Sequence, residues 1–466
     1  MIRFCRQNKD AVIAKMLKGQ LDAVHSSNTN IVDEIILAMH KNKVLQCLED
    51  GIPDKRANNA SIPFGLALTL SATAKMKIKT SLTDIPFALT DSRTISQLGY
   101  SLYSASGNLK KGFMRESSLR ALIENYDSND FINGYNNTVQ NYIMPKLNIS
   151  PDIHILDCVK LCKNVKNKNY EGSGFGKDNN GKKVLGYKLA VLRGITGDVG
   201  IHEDIRFGSM DIHDMELSRD MLYDSPVLKR GDILINDRGF IARDMINYLK
   251  NKRGVDTYVP LRNNMNTYEM AVSTAKLENK WSNHPNKNRK SQRIAFVPNI
   301  GQYWIKNKKD NNVDLNACVV WDNEATEKDK QYFVFVTTDL TKSAREIVKT
   351  YELRPEIEED FRQVKDFWKL EDFKSTKLNF IAFHIICTLI GYLFFQIFTM
   401  LPEGEKYAHK CLPVILKNYV PEPLNYIVFY QGENFGIFTL IEFAELYSQC
   451  NEEVKLKIAN IMNTQG

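Results

Sequence analysis

The sequence has no CxxC pair and places no histidine beside its cysteines at zinc-ligand spacing, so neither a thiolate zinc site nor a dithiol redox motif is encoded. Its eight cysteines, Cys5, Cys47, Cys158, Cys162, Cys318, Cys387, Cys411 and Cys450, are scattered. That usage implies a reduced, cytoplasmic protein. Proline and glycine are scarce, 14 and 25 among 466 residues, and 43% of the chain is apolar, which excludes a fibrous repeat and extensive disorder. No apolar block opens the chain: MIRFCRQNKDAVIAKMLKG reads as a polar helix, not a signal peptide. Charge of one sign is in small excess, 62 Lys and Arg against 55 Asp and Glu, a balance that favours a polyanionic partner without requiring one. Long apolar runs are missing except for FIAFHIICTLIGYLFFQIFTML, from Phe380 to Leu401, which is long enough to cross a bilayer. It stands alone and contains His384 and Gln396, so it is read as a buried core helix, and no membrane association is expected.

What is present is enough chain for about two to four domains. Residues 1–150 read as mostly helical. Within them, SIPFGLALTLSATAKMKIKTSLTDIPFALTDSRTISQLGYS holds two apolar helical runs across a polar turn, which fits a helix-turn-helix unit and a plain bundle equally. From Asp152 the pattern becomes strand-like: DIHILDCVKL, VLGYKLAVLRGIT and VGIHEDIRFGSM predict an antiparallel meander. A helix from about Asp214 to Tyr223, the buried strand DILIND, a helix through Lys250 and the strand DTYVPLR follow. Three strands, helix, strand, helix matches a ribonuclease-H-like fold, one of several that segment order alone allows, and the fold class expected is α/β, a mixed sheet with helices on both faces. The core spans 151–262 and resumes over 331–401. Residues 263–330, polar with short strand-like pieces, are expected to form a β-rich insertion outside the main sheet, and 402–466 a helical region suited to dimerisation.

The strongest chemical signal is YELRPEIEEDFRQVK, where Tyr351, Arg354, Glu358 and Lys365 share a stripe roughly 60° wide on an α-helix turning about 100° per residue. A carboxylate flanked by two cations and a phenol suits a metal-bound phosphodiester. Pro355 fits best at a helix start, and would put Tyr351 and Arg354 on the entering turn. In ILINDRGF, Asp237 ends an apolar strand, where an unpaired carboxylate is costly unless a cation meets it. Asp157 interrupts an alternating strand, and on pattern alone Asp152, Asp198, Asp204 and Asp214 compete with it.

The Y-x2-R-x3-E-x6-K spacing resembles the signature of bacterial insertion-sequence transposases with a DDE triad, although many members carry Trp where this chain has Pro355. ILINDRGF resembles that family's second-aspartate motif and IHILDCVKL its first-aspartate strand, and the resemblance runs from about Asp152 to Leu401. It implies Asp157, Asp237 and Glu358 as catalytic residues and ligands of two Mg2+ ions, for which Mn2+ would substitute, since hard carboxylate oxygens suit both. It implies Tyr351, Arg354 and Lys365 as contacts to DNA phosphates, with Arg238, beside the second aspartate, added as a DNA-binding candidate. The function implied is cleavage of transposon ends and their joining to target DNA. A transposase-derived nuclease and a non-catalytic DNA-binding protein are the alternatives. Partners implied are double-stranded DNA carrying terminal inverted repeats, target DNA and a second copy of the chain in a synaptic complex, working on the bacterial nucleoid. Some relatives pass through a DNA hairpin and stack an aromatic on a flipped base, a role for which Trp281, Trp304 and Trp321 are candidates.

Overall fold

The computed structural model describes residues 2–56, 60, 62–102, 112–163, 169–178, 180–197, 199–301, 312–327, 331–420, 424–430 and 433–463. The chain divides into two compact units, one of Val139–Arg362 and the other of Met1–Thr138 with Gln363–Gly466.

The first unit is built on one mixed sheet of ten described strands. They are β1 (Ile153–Lys163), β2 (Gly174–Lys177), β3 (Lys183–Thr196), β4 (Val199–Ser209), β5 (Ile233–Asn236), β6 (Asp256–Pro260), β7 (Ser282–Asn283), β8 (Gln292–Val297), β9 (Asn316–Asp322) and β10 (Tyr332–Thr337). β1, β3 and β4 form the antiparallel meander, β1 also pairs in parallel with β5, and β5 in parallel with β6. The spatial order β4-β3-β1-β5-β6 is the ribonuclease-H-like arrangement. Ala190, Val191 and Leu192 of β3 are consecutive and all buried, so both faces of the central sheet are covered. On one face Leu156, Ala190, Leu192 and Leu234 join the Arg219–Tyr223, Arg243–Tyr248 and Asn266–Glu278 helices in a common core.

One expectation is corrected here. The strands of 263–330 do not stand outside the main sheet: β10 pairs with β6 on one edge and β9 on the other, and β8 and β7 continue outward. The edge of β10 would otherwise expose a row of unpaired backbone groups. The apolar run Ala317–Val320 supplies a strand to cover it. QYWIK, a further expected strand, lies outside the described residues.

The second unit is helical with a four-stranded sheet, in which the hairpin Asn425–Tyr430 and Asn434–Thr439 pairs with Ala23–Ser27 and Arg6–Gln7. The region beyond Pro402 is therefore part strand, and its last helices share a core with Val12, Met16 and Val24 of the N-terminus. The Leu378–Met400 helix is the long apolar run. Among the described residues it alone has the length and composition of a membrane span, and 94% of its apolar window is buried. The Phe64–Met76 helix is buried at every position, which fits the bundle reading of this stretch rather than a helix laid in a DNA groove.

Candidate active site

Strand register brings the two aspartates together. The parallel β1–β5 ladder ends at Leu156 opposite Asn236, so Asp157 and Asp237 are the next residues on adjacent strands, about 4.8 Å apart in the pairing direction. Each uses one oxygen in the same local bond: Asp157 Oδ1 accepts from the Cys158 amide and Asp237 Oδ1 from the Arg238 amide, both at 2.7 Å. Their Oδ2 atoms remain for other partners.

The third acid arrives on a broken helix. Ser343 caps the Ala344–Tyr351 helix in a reciprocal box with Glu346, the chain turns through Glu352–Arg354, and Pro355 opens a new helix to Arg362. The continuous stripe expected of Tyr351, Arg354, Glu358 and Lys365 is thus interrupted at Pro355, because the ring cannot donate the helical bond. The break serves the geometry. Freed from the helix, Arg354 extends Nη2 to Asp157 Oδ2 at 2.7 Å and Nη1 to Glu358 Oε1 at 2.6 Å. One planar guanidinium therefore ties together two acids that are 201 residues apart in sequence.

Electrostatics agree with the distances. Burial pushes the Asp157 carboxyl up to about 6; Arg354 and the Cys158 amide pull it back, and the charges of Asp237 and Glu358 push it further up. Burial opposes the charge on Arg354, yet Asp157, Tyr351, Asp237 and Glu358 outweigh it and hold its pKa above the usual value. The Tyr351 phenol is raised, chiefly by burial, and its ring lies 4.6 Å from that of Phe335. Asp237, Arg238, Tyr351, Arg354 and Glu358 share the wall of one cavity of about 740 Å3. Lys365 belongs to the other compact unit, in the π-helical turn Gln363–Phe367, and is paired with Glu371 at 2.8 Å.

Two of the competing acids are paired with bases. Asp204 pairs with Arg206, and Asp214 with Lys188 at 2.7 Å; Asp198 lies outside the described residues. Trp281 and Trp321 pack against each other, with ring centroids 5.5 Å apart, and neither lines the cavity; Trp304 is outside the described residues. Sequence reading missed the far wall, where Tyr268, His284, Arg289 and Tyr332 come from or beside the insertion. Nothing in their local pattern signals it, since the β9 and β10 pairings put them there.

The transposase DDE domain family matches residues 157–394, just over half the chain, from Asp157 past Glu358. The chain belongs to the DDE transposases. No curated protein matches it. Among solved structures it is similar to piggyBac transposase in a synaptic complex with hairpin DNA, seen by cryo-electron microscopy, with 9% identity over 94% of this chain and 88% of that one and a TM-score of 0.42.

DDE transposases generally use divalent metal ions. Among the described residues of this transposase, no three His, Cys, Asp or Glu side chains are gathered closely enough to hold a metal. The donor chemistry nonetheless fits: three carboxylates from adjacent elements, with Asp237 Oδ2 unbonded in the described structure, and an arginine charge between the other two.

Proposed function

We propose that this chain is a DNA transposase of the insertion-sequence type with the Tyr-Arg-Glu-Lys signature, which cleaves transposon ends and joins them to target DNA. The observation that carries this reading is the convergence on Arg354: one guanidinium bonded to Asp157 and Glu358, with Asp237 on the strand next to Asp157. Asp157, Asp237 and Glu358 are the residues that would hold two Mg2+ ions, or Mn2+, which when bound activate the attacking hydroxyl and stabilise the leaving oxygen. Arg354 and Arg238 would hold the oxygens of the scissile phosphodiester by charge-assisted bonds, and Tyr351, backed by Phe335, would form the wall against which the strand end lies. Lys365 would add a further phosphate contact. The helical N-terminal region would recognise the terminal inverted repeats, and two copies of the chain would hold two ends together in the bacterial cytoplasm.

The test is incubation of the purified chain with duplex carrying the repeats beside its own gene, with and without Mg2+. Nicking at the repeat ends that needs Mg2+ and disappears in Glu358→Ala is the expected result. A pre-cleaved end then decides between enzymes, because a transposase joins it to target DNA and a nuclease does not. No cleavage of any duplex by the parent chain would leave only a DNA-binding protein.

A further inference from the structure

Two polar side chains lie where the second unit is otherwise apolar. Lys75, 2% exposed, ends the wholly buried Phe64–Met76 helix, and His384, 5% exposed, lies within the Leu378–Met400 helix. Lys75 Nζ donates to His384 Nδ1 at 2.9 Å, while His384 Nε2 donates to the Lys369 carbonyl at 3.2 Å. These two bonds require a neutral imidazole with its proton on Nε2. The ammonium has three protons to place, and its other bond, to the Thr80 carbonyl, is long at 3.5 Å. Its near partner carries no negative charge.

A buried cation without a carboxylate costs several kcal/mol, and the partial negative charge at a helix C-terminus offsets only part of that. Burial pulls the Lys75 ammonium down to about 8, against weaker opposing effects of Cys387, Asp372 and Asp84. Asp372 is itself bonded to Lys374. Helix termination alone would not account for what surrounds Lys75. It lines a cavity of about 130 Å3 with Ser81, Ser375 and apolar residues such as Phe380, together with Arg120 and Lys374, each more than half exposed and paired with Glu116 and Asp372 that a stronger anion would displace. Among the described residues no carboxylate lines it. Pockets for drug-sized ligands are roughly 300–1,000 Å3, so this one admits a group of about phosphate size. Ammonium, guanidinium and hydroxyl donors around an ion-sized hollow are the groups that bind phosphate oxygens.

We propose that this cavity is a phosphate site for the DNA backbone, distinct from the active site, with Lys75 as its buried charge and Arg120 and Lys374 at its mouth. The inference takes from the proposed function only the source of the phosphate.

Two measurements on the full chain and on Lys75→Met test it. In phosphate buffer against chloride of equal ionic strength, the parent melting temperature rises by about 2 °C or more, and that of Lys75→Met does not. For a duplex carrying the repeats beside the gene, the slope of log affinity against log salt falls by about 0.9 in Lys75→Met, the signature of one lost phosphate contact. Replacing a buried charge with an apolar side chain of similar length is often neutral or stabilising, and the exposed Arg120→Gln, outside the core, gives a second variant in which the phosphate effect must shrink. Equal phosphate shifts in all three proteins overturn the site. A phosphate shift with an unchanged salt slope overturns its assignment to DNA. A parent chain that binds no duplex refutes the proposed function and the assignment to DNA, while the melting comparison still decides whether the cavity binds phosphate.

Discussion

Replacing Arg354 with Gln should strengthen divalent-metal binding by the free protein and weaken DNA cleavage, two effects of opposite sign from one substitution. The guanidinium holds the two carboxylates that a metal would need, at 2.7 Å from Asp157 and 2.6 Å from Glu358. Asp157 and Arg354 are 15% and 16% exposed, so that charge-assisted bond is sheltered and counts for about 1.5 kcal/mol, the low end of its class. Glu358 is 54% exposed, so its bond is discounted for solvent screening to about 0.5 kcal/mol. A cation that displaces both gives up about 2 kcal/mol, and removing the competitor should tighten Mn2+ binding by up to roughly 30-fold. Calorimetric or paramagnetic-resonance titration of the DNA-free protein with Mn2+ measures this, with Glu358→Gln as the control that should bind more weakly. Cleavage by Arg354→Gln should fall at least about tenfold, as expected for a lost charge-assisted phosphate contact. If Arg354→Gln binds Mn2+ no more tightly than the parent, the arginine and the metal do not share those oxygens and the reasoning fails.

Two further outcomes follow from buried charge in the sheet unit. His154, fully buried, lies between Glu203 Oε2 at 2.7 Å and Asp232 Oδ2 at 3.2 Å; burial would lower its pKa, but these acids outweigh it and raise it from 6.5 to about 9. A raised folded-state pKa stabilises below the unfolded value, so this contribution is full below about pH 6.5 and is lost as the pH climbs through 9. It amounts to roughly 3 kcal/mol, read as a fall in urea midpoint between pH 6 and 9 that His154→Gln should flatten. Arg193, 5% exposed, bonds Asp360 Oδ2 at 2.7 Å and Glu356 Oε2 at 2.9 Å, anchoring the helix that carries Glu358 to β3. Arg193→Met takes the guanidinium from buried Asp360, which keeps His202 Nε2 at 3.3 Å, and should cost about 3 kcal/mol in urea unfolding, the low end for a broken buried pair, much of it recovered in Arg193→Met/Asp360→Leu.

Much of the core is legible in the residues. Alternation in DIHILDCVKL marks a strand, and the continuous apolar runs in VLGYKLAVLRGIT and ILIN mark strands buried on both faces. Pro355 announces the helix break, since no neighbour can restore its missing amide. The insertion was harder to read. A polar segment with short strand-like pieces says nothing about which edge those pieces will pair with, and the register of β10 on β6, such as Tyr258 opposite Thr337, is a non-local choice. The joining of N- and C-terminal segments in one four-stranded sheet is hidden for the same reason.

The residues by themselves determined the chain order of Asp157, Asp237, Tyr351, Arg354 and Glu358 and the resemblance these residues carry, because a carboxylate ending an apolar strand and cations beside an acid are local facts of composition and spacing. Only the tertiary structure decided that Asp157 stands beside Asp237, that Arg354 bonds Asp157 and Glu358 together, and that Lys75 meets His384 across 309 positions. Strand pairing and helix packing set those distances. Both are driven by burying surface and satisfying backbone groups between distant segments, and neither leaves a periodic mark near the residues it brings into contact.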